Sequence, residues 1–115
     1  QLRRLAKRGA IGIARGGTTG GNGSGDIFLA LSTANPMPIN HMAEINSDFS
    51  WIGDDLCDSV YQAAVEAIEE AVINALLAAE TMSTLRPADQ LCAAIDVEAL
   101  VDILDQHGRL TTCRR

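Results

Sequence analysis

The stretch "GGTTGGNGSGDIFLALSTAN", residues 16–35, constrains this chain more than any other. Glycines at positions 16, 17, 20, 21, 23 and 25 run directly into an apolar segment. Glycine loses more backbone freedom on folding than other residues, so a loop this rich in it is costly to order. A glycine loop leading into a buried strand usually brings bare backbone or a polar side chain close to something. The strand predicted here spans Asp26 to Thr33. Ile27, Leu29 and Leu31 fall on one face, and Phe28, Ala30 and Ser32 on the other. Both faces are largely apolar, which predicts cover on both sides. Asn35-Pro36 ends the strand.

Helical patterns flank this segment. Leu2, Leu5, Ala6, Gly9, Ala10 and Ile13 recur at helical spacing opposite Arg3, Arg4, Lys7 and Arg8, predicting a helix over Leu2–Ala14 that stops at Gly16 and Gly17. Leu56, Val60, Ala64, Ile68, Ala71, Val72, Ala75, Leu76 and Ala79 predict a long helix over Leu56–Thr81, its acidic residues forming the wet side. Between them, Phe49–Ile52 reads as a short strand with Trp51 as a packing residue. Ser83–Asp89, which holds Pro87, reads as a linker. A last helix is expected over Val97–Gln106, with Asp96 as N-cap and Gly108 as the stop.

Charge and composition exclude several classes. Net charge is −6 and aromatics are 3% of 115 residues. That disfavours nucleic-acid binding, by general electrostatics or by base stacking. The basic start, Arg3 to Arg15, reads as a solvated or subunit-facing helix side. No apolar run reaches membrane-spanning length, so no membrane partner is expected. Cys57, Cys92 and Cys113 are odd in number and widely spaced, and read as reduced thiols of a cytoplasmic-type protein. His41 and His107 lack ligand spacing to any cysteine, so no metal site is expected. The first residue is Gln rather than Met, which suggests a fragment or a processed piece and leaves a periplasmic location open.

Three readings of the glycine loop compete. A phosphate cradle of the G-x-x-x-x-G-K-[ST] type needs a lysine that the loop lacks, and G-x-G-x-x-G needs strand, loop, helix rather than helix, loop, strand. A structural reading makes the glycines a flexible connection. A catalytic reading rests on Ser24 and Asp26. At the head of a strand, residues two apart face one side, so the hydroxyl and the carboxylate project together. Gly23 and Gly25 would leave bare backbone beside a substrate. A carboxylate can orient a hydroxyl or hold an ammonium group. An S-x-D pair is common in loops, so the residues alone leave the last two readings open.

The longer pattern is more specific. "QLRRLAKRGAIGIARGGTTGGNGSGDIFLALSTAN", "DSVYQAAVEAIEEAVINALLAAETM" and "AIDVEALVDILDQHGRL" together resemble the small subunit of the DmpA-like aminopeptidases, a group that includes L-aminopeptidase/D-Ala-esterase/amidases and β-peptidyl aminopeptidases. The resemblance covers nearly the whole chain. It implies an α/β fold that is a fragment of a four-layer α-β-β-α sandwich, like that of N-terminal-nucleophile hydrolases and ornithine acetyltransferases. It also implies a precursor that cuts itself into large and small subunits, exposing an N-terminal Ser nucleophile. Residues 1–109 would be the small-subunit part of one catalytic domain, with 110–115 a loose tail. The family's loop serine and carboxylate map onto Ser24 and Asp26. The family carboxylate is usually Glu, and Asp is one methylene shorter, about 1.5 Å less reach.

By the same resemblance the nucleophile would open a strand before Gln1, and the chain alone would be inactive. The implied partners are the large subunit, further copies of the heterodimer, and a short peptide, amide or ester substrate. No cofactor is implied. Two rivals remain: a non-catalytic relative that keeps the fold, and a Thr-nucleophile N-acetyltransferase. A Gly-Ser junction before Gln1 would favour the hydrolase, and a Thr there the transferase.

Overall fold

The computed structural model describes residues 1–35 and 48–111. The sequence readings on His41, Cys113 and the end of the tail lie outside the described residues. The chain divides into two compact units, Gln1–Ala71 and Val72–Arg115. The elements are α1 (Leu2–Arg15), α2 (Asp54–Leu77), β1 (Met82–Ser83), β2 (Leu91–Cys92) and α3 (Val97–Gln106).

In the first unit, α1 and the N-terminal part of α2 pack through small residues. Gly9 and Gly12 are the buried positions of α1. A Cβ on Gly12 would lie 2.8 Å from both the Ile68 Cβ and the Val65 carbonyl oxygen, so only glycine lets the two helices come this close. A Cβ on Gly9 would strike the ring of Phe28. The glycines that open α1's inner side therefore set the spacing of three segments. Arg15 Nε pairs with Glu69 Oε2 at 2.6 Å, and the Arg8 guanidinium stacks 4.6 Å from the centre of the Tyr61 ring. The basic side of α1 is thus partly engaged with α2 rather than wholly solvated.

The periodicity placed α2 well but turned it slightly. Its buried residues are Cys57, Tyr61 and Val65, whereas Leu56, expected to face inward, is exposed. The helix begins at Asp54 and ends at Leu77, ahead of the expected Thr81. α1 ends at Arg15, with Gly16 as its C-cap and Gly17 at φ +102, as the two glycines suggested. α3 matches its expected bounds. The Asp96 side chain accepts a hydrogen bond from the Ala99 N–H at 3.0 Å, and Gly108 follows at φ +60.

Two strand readings need correction. Residues 26–33 pair with no strand among the described residues. Phe28 and Ala30 are half-buried, while Ile27, Leu29 and Leu31 are 91%, 84% and 74% exposed. The period of two is present, but one face alone is covered, because the described residues supply helices to that face and nothing to the other. The second correction concerns Phe49–Ile52, which forms no strand; Trp51 is 76% exposed rather than packed. Its neighbours are held instead by side-chain amides. Asn35 donates from Nδ2 to the Ser50 carbonyl at 2.8 Å and accepts from the Ser50 N–H at 2.7 Å. Gln1 treats Ile52 likewise, donating to its carbonyl and accepting from its N–H at 3.3 Å.

In the second unit, the stretch read as a linker is the turn of a small antiparallel hairpin. Met82 lies opposite Cys92, and Ser83 opposite Leu91. On α3, Leu100 and Leu104 are its half-buried residues.

Candidate active site

The loop from Gly16 to Gly25 is exposed throughout and adopts no regular structure. It is not shapeless. The Gly20 N–H donates to Thr18 Oγ1 at 3.2 Å, Gly20 takes φ +62, and the Ser24 N–H closes a turn onto the Gly21 carbonyl at 2.8 Å. A left-handed residue at position 20 is a conformation that glycine adopts without strain. The turn then delivers the chain to Ser24, Gly25 and Asp26.

The structure brings the two expected site residues together. The Ser24 hydroxyl donates to Asp26 Oδ2 at 2.5 Å. This is a short, charge-assisted bond of the kind a hydroxyl makes to a carboxylate. The shorter side chain of Asp26, compared with the Glu usual in the resembled family, therefore still reaches its partner. Because the hydroxyl proton is committed to Asp26, Ser24 can meet a third group only as an acceptor, through its lone pairs. That suits a hydroxyl or an ammonium group placed beside it.

Gly23 and Gly25 flank this pair. A Cβ on either would meet nothing within 4 Å among the described residues. Close packing therefore does not explain glycine at these two positions, unlike Gly9 and Gly12. What their lack of a side chain does is leave the backbone around Ser24 bare. Among the described residues, no group of His, Cys, Asp and Glu could hold a metal ion. No helix among them is long and apolar enough to cross a membrane.

Sequence reasoning missed the amide clamps at Ser50 and Ile52. Asn and Gln side chains pairing with backbone leave no periodic signal, and the partners lie 15 and 51 residues apart. These clamps hold the walls of a pocket of about 340 Å³ lined by Leu2, Ser32, Ala34, Asn35, Trp51 and Ile52, among others. It lies at the other end of the 26–33 segment from Ser24 and Asp26.

The sequence profile of peptidase family S58 matches residues 1–88. The β-peptidyl aminopeptidase BapA of Sphingosinicella microcystinivorans is 46% identical over 83 residues, covering 72% of this chain and 21% of that protein. BapA of Sphingosinicella xenopeptidilytica is 35% identical over the same coverage. Among solved structures, the L-aminopeptidase/D-Ala-esterase/amidase of Ochrobactrum anthropi, described as a prototype of the serine aminopeptidases with a variant Ntn hydrolase fold, superposes with a TM-score of 0.84 at 50% identity. The match covers 94% of this chain and 30% of that one. The PH0078 protein of Pyrococcus horikoshii gives a TM-score of 0.81 at 38% identity, covering 93% and 29%. The chain thus spans about a fifth of the length of the curated relatives that it matches. The α/β architecture is part of the Ntn hydrolase fold seen in these neighbours, as the resemblance implied. By the extent of the profile match and the identity to solved relatives, the chain belongs to peptidase family S58.

Proposed function

We propose that this chain is the small-subunit part of a self-processing serine aminopeptidase, which removes N-terminal residues from short peptides, amides or esters. The observation that carries the reading is the Ser24–Asp26 hydrogen bond at the mouth of a bare glycine loop. Membership of a peptidase family and similarity to two named aminopeptidases support it. The nucleophile is an N-terminal Ser supplied by chain preceding Gln1. Its hydroxyl adds to the scissile carbonyl, its own α-amine takes the proton, and the same proton passes to the leaving amine as the C–N bond breaks. Water then cleaves the acyl ester. Ser24, already donating to Asp26, accepts a hydrogen bond from the nucleophile's hydroxyl or α-amine and fixes its direction. Asp26 holds the Ser24 proton away from that contact and stabilises positive charge as it develops on the amine. Gly23 and Gly25 let substrate backbone approach.

The large subunit and further copies of the heterodimer complete the enzyme in this reading, and its location is cytoplasmic. Cys57 and Cys92 are free thiols among the described residues, which fits that compartment. The test uses the full-length protein and a panel of L-, D- and β-amino acyl p-nitroanilides and amides. Denaturing electrophoresis should show two chains, the smaller starting with Ser, and substrates with a free amine should be cleaved while N-acetylated ones are not. A folded protein that stays uncut and hydrolyses none of the panel would overturn the proposal. A Thr at the junction with acyl transfer to an amine would place it with the transferases instead.

A further inference from the structure

The Ser24–Asp26 pair stands on a stretch with few attachments. Residues 14–27 are all exposed, and among the described residues the hydrogen bonds of residues 18–26 join only one another. The first residue past this stretch that other elements cover is Phe28, which is half-buried. Its seat is Gly9 of α1. A Cβ there would lie 2.7 Å from Phe28 Cε1 and 2.9 Å from Cγ, and closer still to Cδ1. Cγ lies on the axis about which the ring flips, so a flip does not relieve that contact. A methyl group at position 9 therefore displaces the whole ring.

α1 and the 26–33 segment run in opposite directions. Gln1 and Leu2 line a pocket with Ser32 and Ala34, and Gly9 meets Phe28. From Gln1 to Gly9 the helix advances about 12 Å, and from Ser32 to Phe28 an extended chain advances about 13 Å. The two stay in step, so α1 backs the segment as far as Phe28. Counting back by twos from Ala30 and Phe28 gives Asp26 and Ser24, which project from the same side. The pair's position relative to the helices is thus inherited from the last seated residue before it.

We propose that Phe28, seated on Gly9, is the positioning residue that fixes where Asp26, and through it Ser24, stands against the nucleophile. The inference rests on the aminopeptidase reading of that pair. A ring pushed off its seat carries the neighbouring backbone with it, and a misplacement of about 1 Å in a reacting constellation costs about 10²-fold in rate.

The experiment uses the full-length enzyme and an amino acyl p-nitroanilide, well below the melting temperature of every variant. Gly9→Ala should lower kcat about 10–100-fold with KM within a few-fold of wild type. Gly9→Ala with Phe28→Leu should recover most of the loss, because the shorter side chain admits the new methyl group. Gly12→Ala strains α1 against α2 instead, and should keep kcat near wild type. In an Asp26→Asn background Gly9→Ala should cost little further, because the group it displaces is already disabled. Phe28→Leu alone cannot overpack. It should lower kcat several-fold and be corrected by adding Gly9→Ala, so the comparison stands even where Gly9→Ala alone does not fold. A wild-type enzyme that cleaves nothing overturns the aminopeptidase reading and this inference together. With an active wild type, this inference alone falls if Gly9→Ala keeps its kcat, if Gly12→Ala loses as much, or if Gly9→Ala costs the same with and without the Asp26 carboxylate.

Discussion

The Ser24 hydroxyl donates to Asp26 Oδ2 at 2.5 Å, across a single glycine that carries no side chain to obstruct either. In the proposed mechanism one acts through the other, and this has a kinetic signature. In the full-length enzyme, Ser24→Ala should lower kcat by about 10²–10⁴-fold, the usual contribution of a positioned proton-transfer group. Asp26→Asn keeps the shape and removes the charge, and should lose a similar amount. The double variant should lose far less than the product, because residues acting as a unit are not additive. Steady-state kinetics with KM resolved from kcat, alongside thermal melts, checks this. Losses that simply multiply, or a Ser24→Ala enzyme within a few-fold of wild type, would return the glycine loop to a structural role.

Gly9 and Gly12 are both buried on α1, but they oppose different kinds of neighbour. Replacing a helical glycine with alanine gains up to about 1 kcal/mol of helix propensity. Overpacking costs about 1–3 kcal/mol. At Gly12 the obstacles are a backbone oxygen and a Cβ on α2, which move only if a helix moves, so Gly12→Ala should be net destabilising. At Gly9 the obstacle is the Phe28 ring, which can rotate or be shortened. Gly9→Ala should therefore be rescued by Phe28→Leu, whereas Gly12→Ala should not be rescued by Ile68→Val. Urea midpoints of the four proteins test the contrast.

The N-cap of α3 gives a third expectation. Asp96→Ala removes the acceptor of the Ala99 N–H and should cost about 1 kcal/mol, while Asp96→Ser should restore most of it. Hydrogen exchange at Ala99 reads the effect locally: faster in Asp96→Ala and near wild type in Asp96→Ser.

How much of this was legible beforehand depends on the range of the signal. α3 was placed to the residue because its cap, stripe and glycine stop are all local. The Ser24–Asp26 pair was legible for the same reason, since two residues on one short segment need no tertiary information. α2 was found, but its inner side was turned toward Cys57, Tyr61 and Val65, because a helix rich in Ala and Val has apolar residues on more than one side and its partner selects among them. That partner approaches through Gly12, a contact that hydrophobicity does not register. The hairpin was missed because strands of two residues are too short to show a period. The segment 26–33 was read correctly as apolar on both faces, but which face the described residues cover depends on elements far away in sequence.

That same segment makes the last prediction. Ile27, Leu29 and Leu31 form an exposed apolar row on a segment that pairs with no strand among the described residues, an arrangement prone to adding strands from other chains. In the proposed enzyme, chain outside residues 1–115 covers it. Alone, the 115-residue chain should self-associate, bind a hydrophobic dye, and fail to give a single cooperative unfolding transition. Leu29→Thr with Leu31→Thr keeps β-formers at both positions while making the row polar. The pair should reduce self-association of the isolated chain, yet lower the melting temperature of the full-length protein, where the row would be buried. Opposite signs in the two settings are the decisive result, because an ordinary exposed apolar patch would improve in both. If the isolated chain is a monodisperse monomer with a sharp transition, the row needs no cover, and the subunit reading of this segment is wrong.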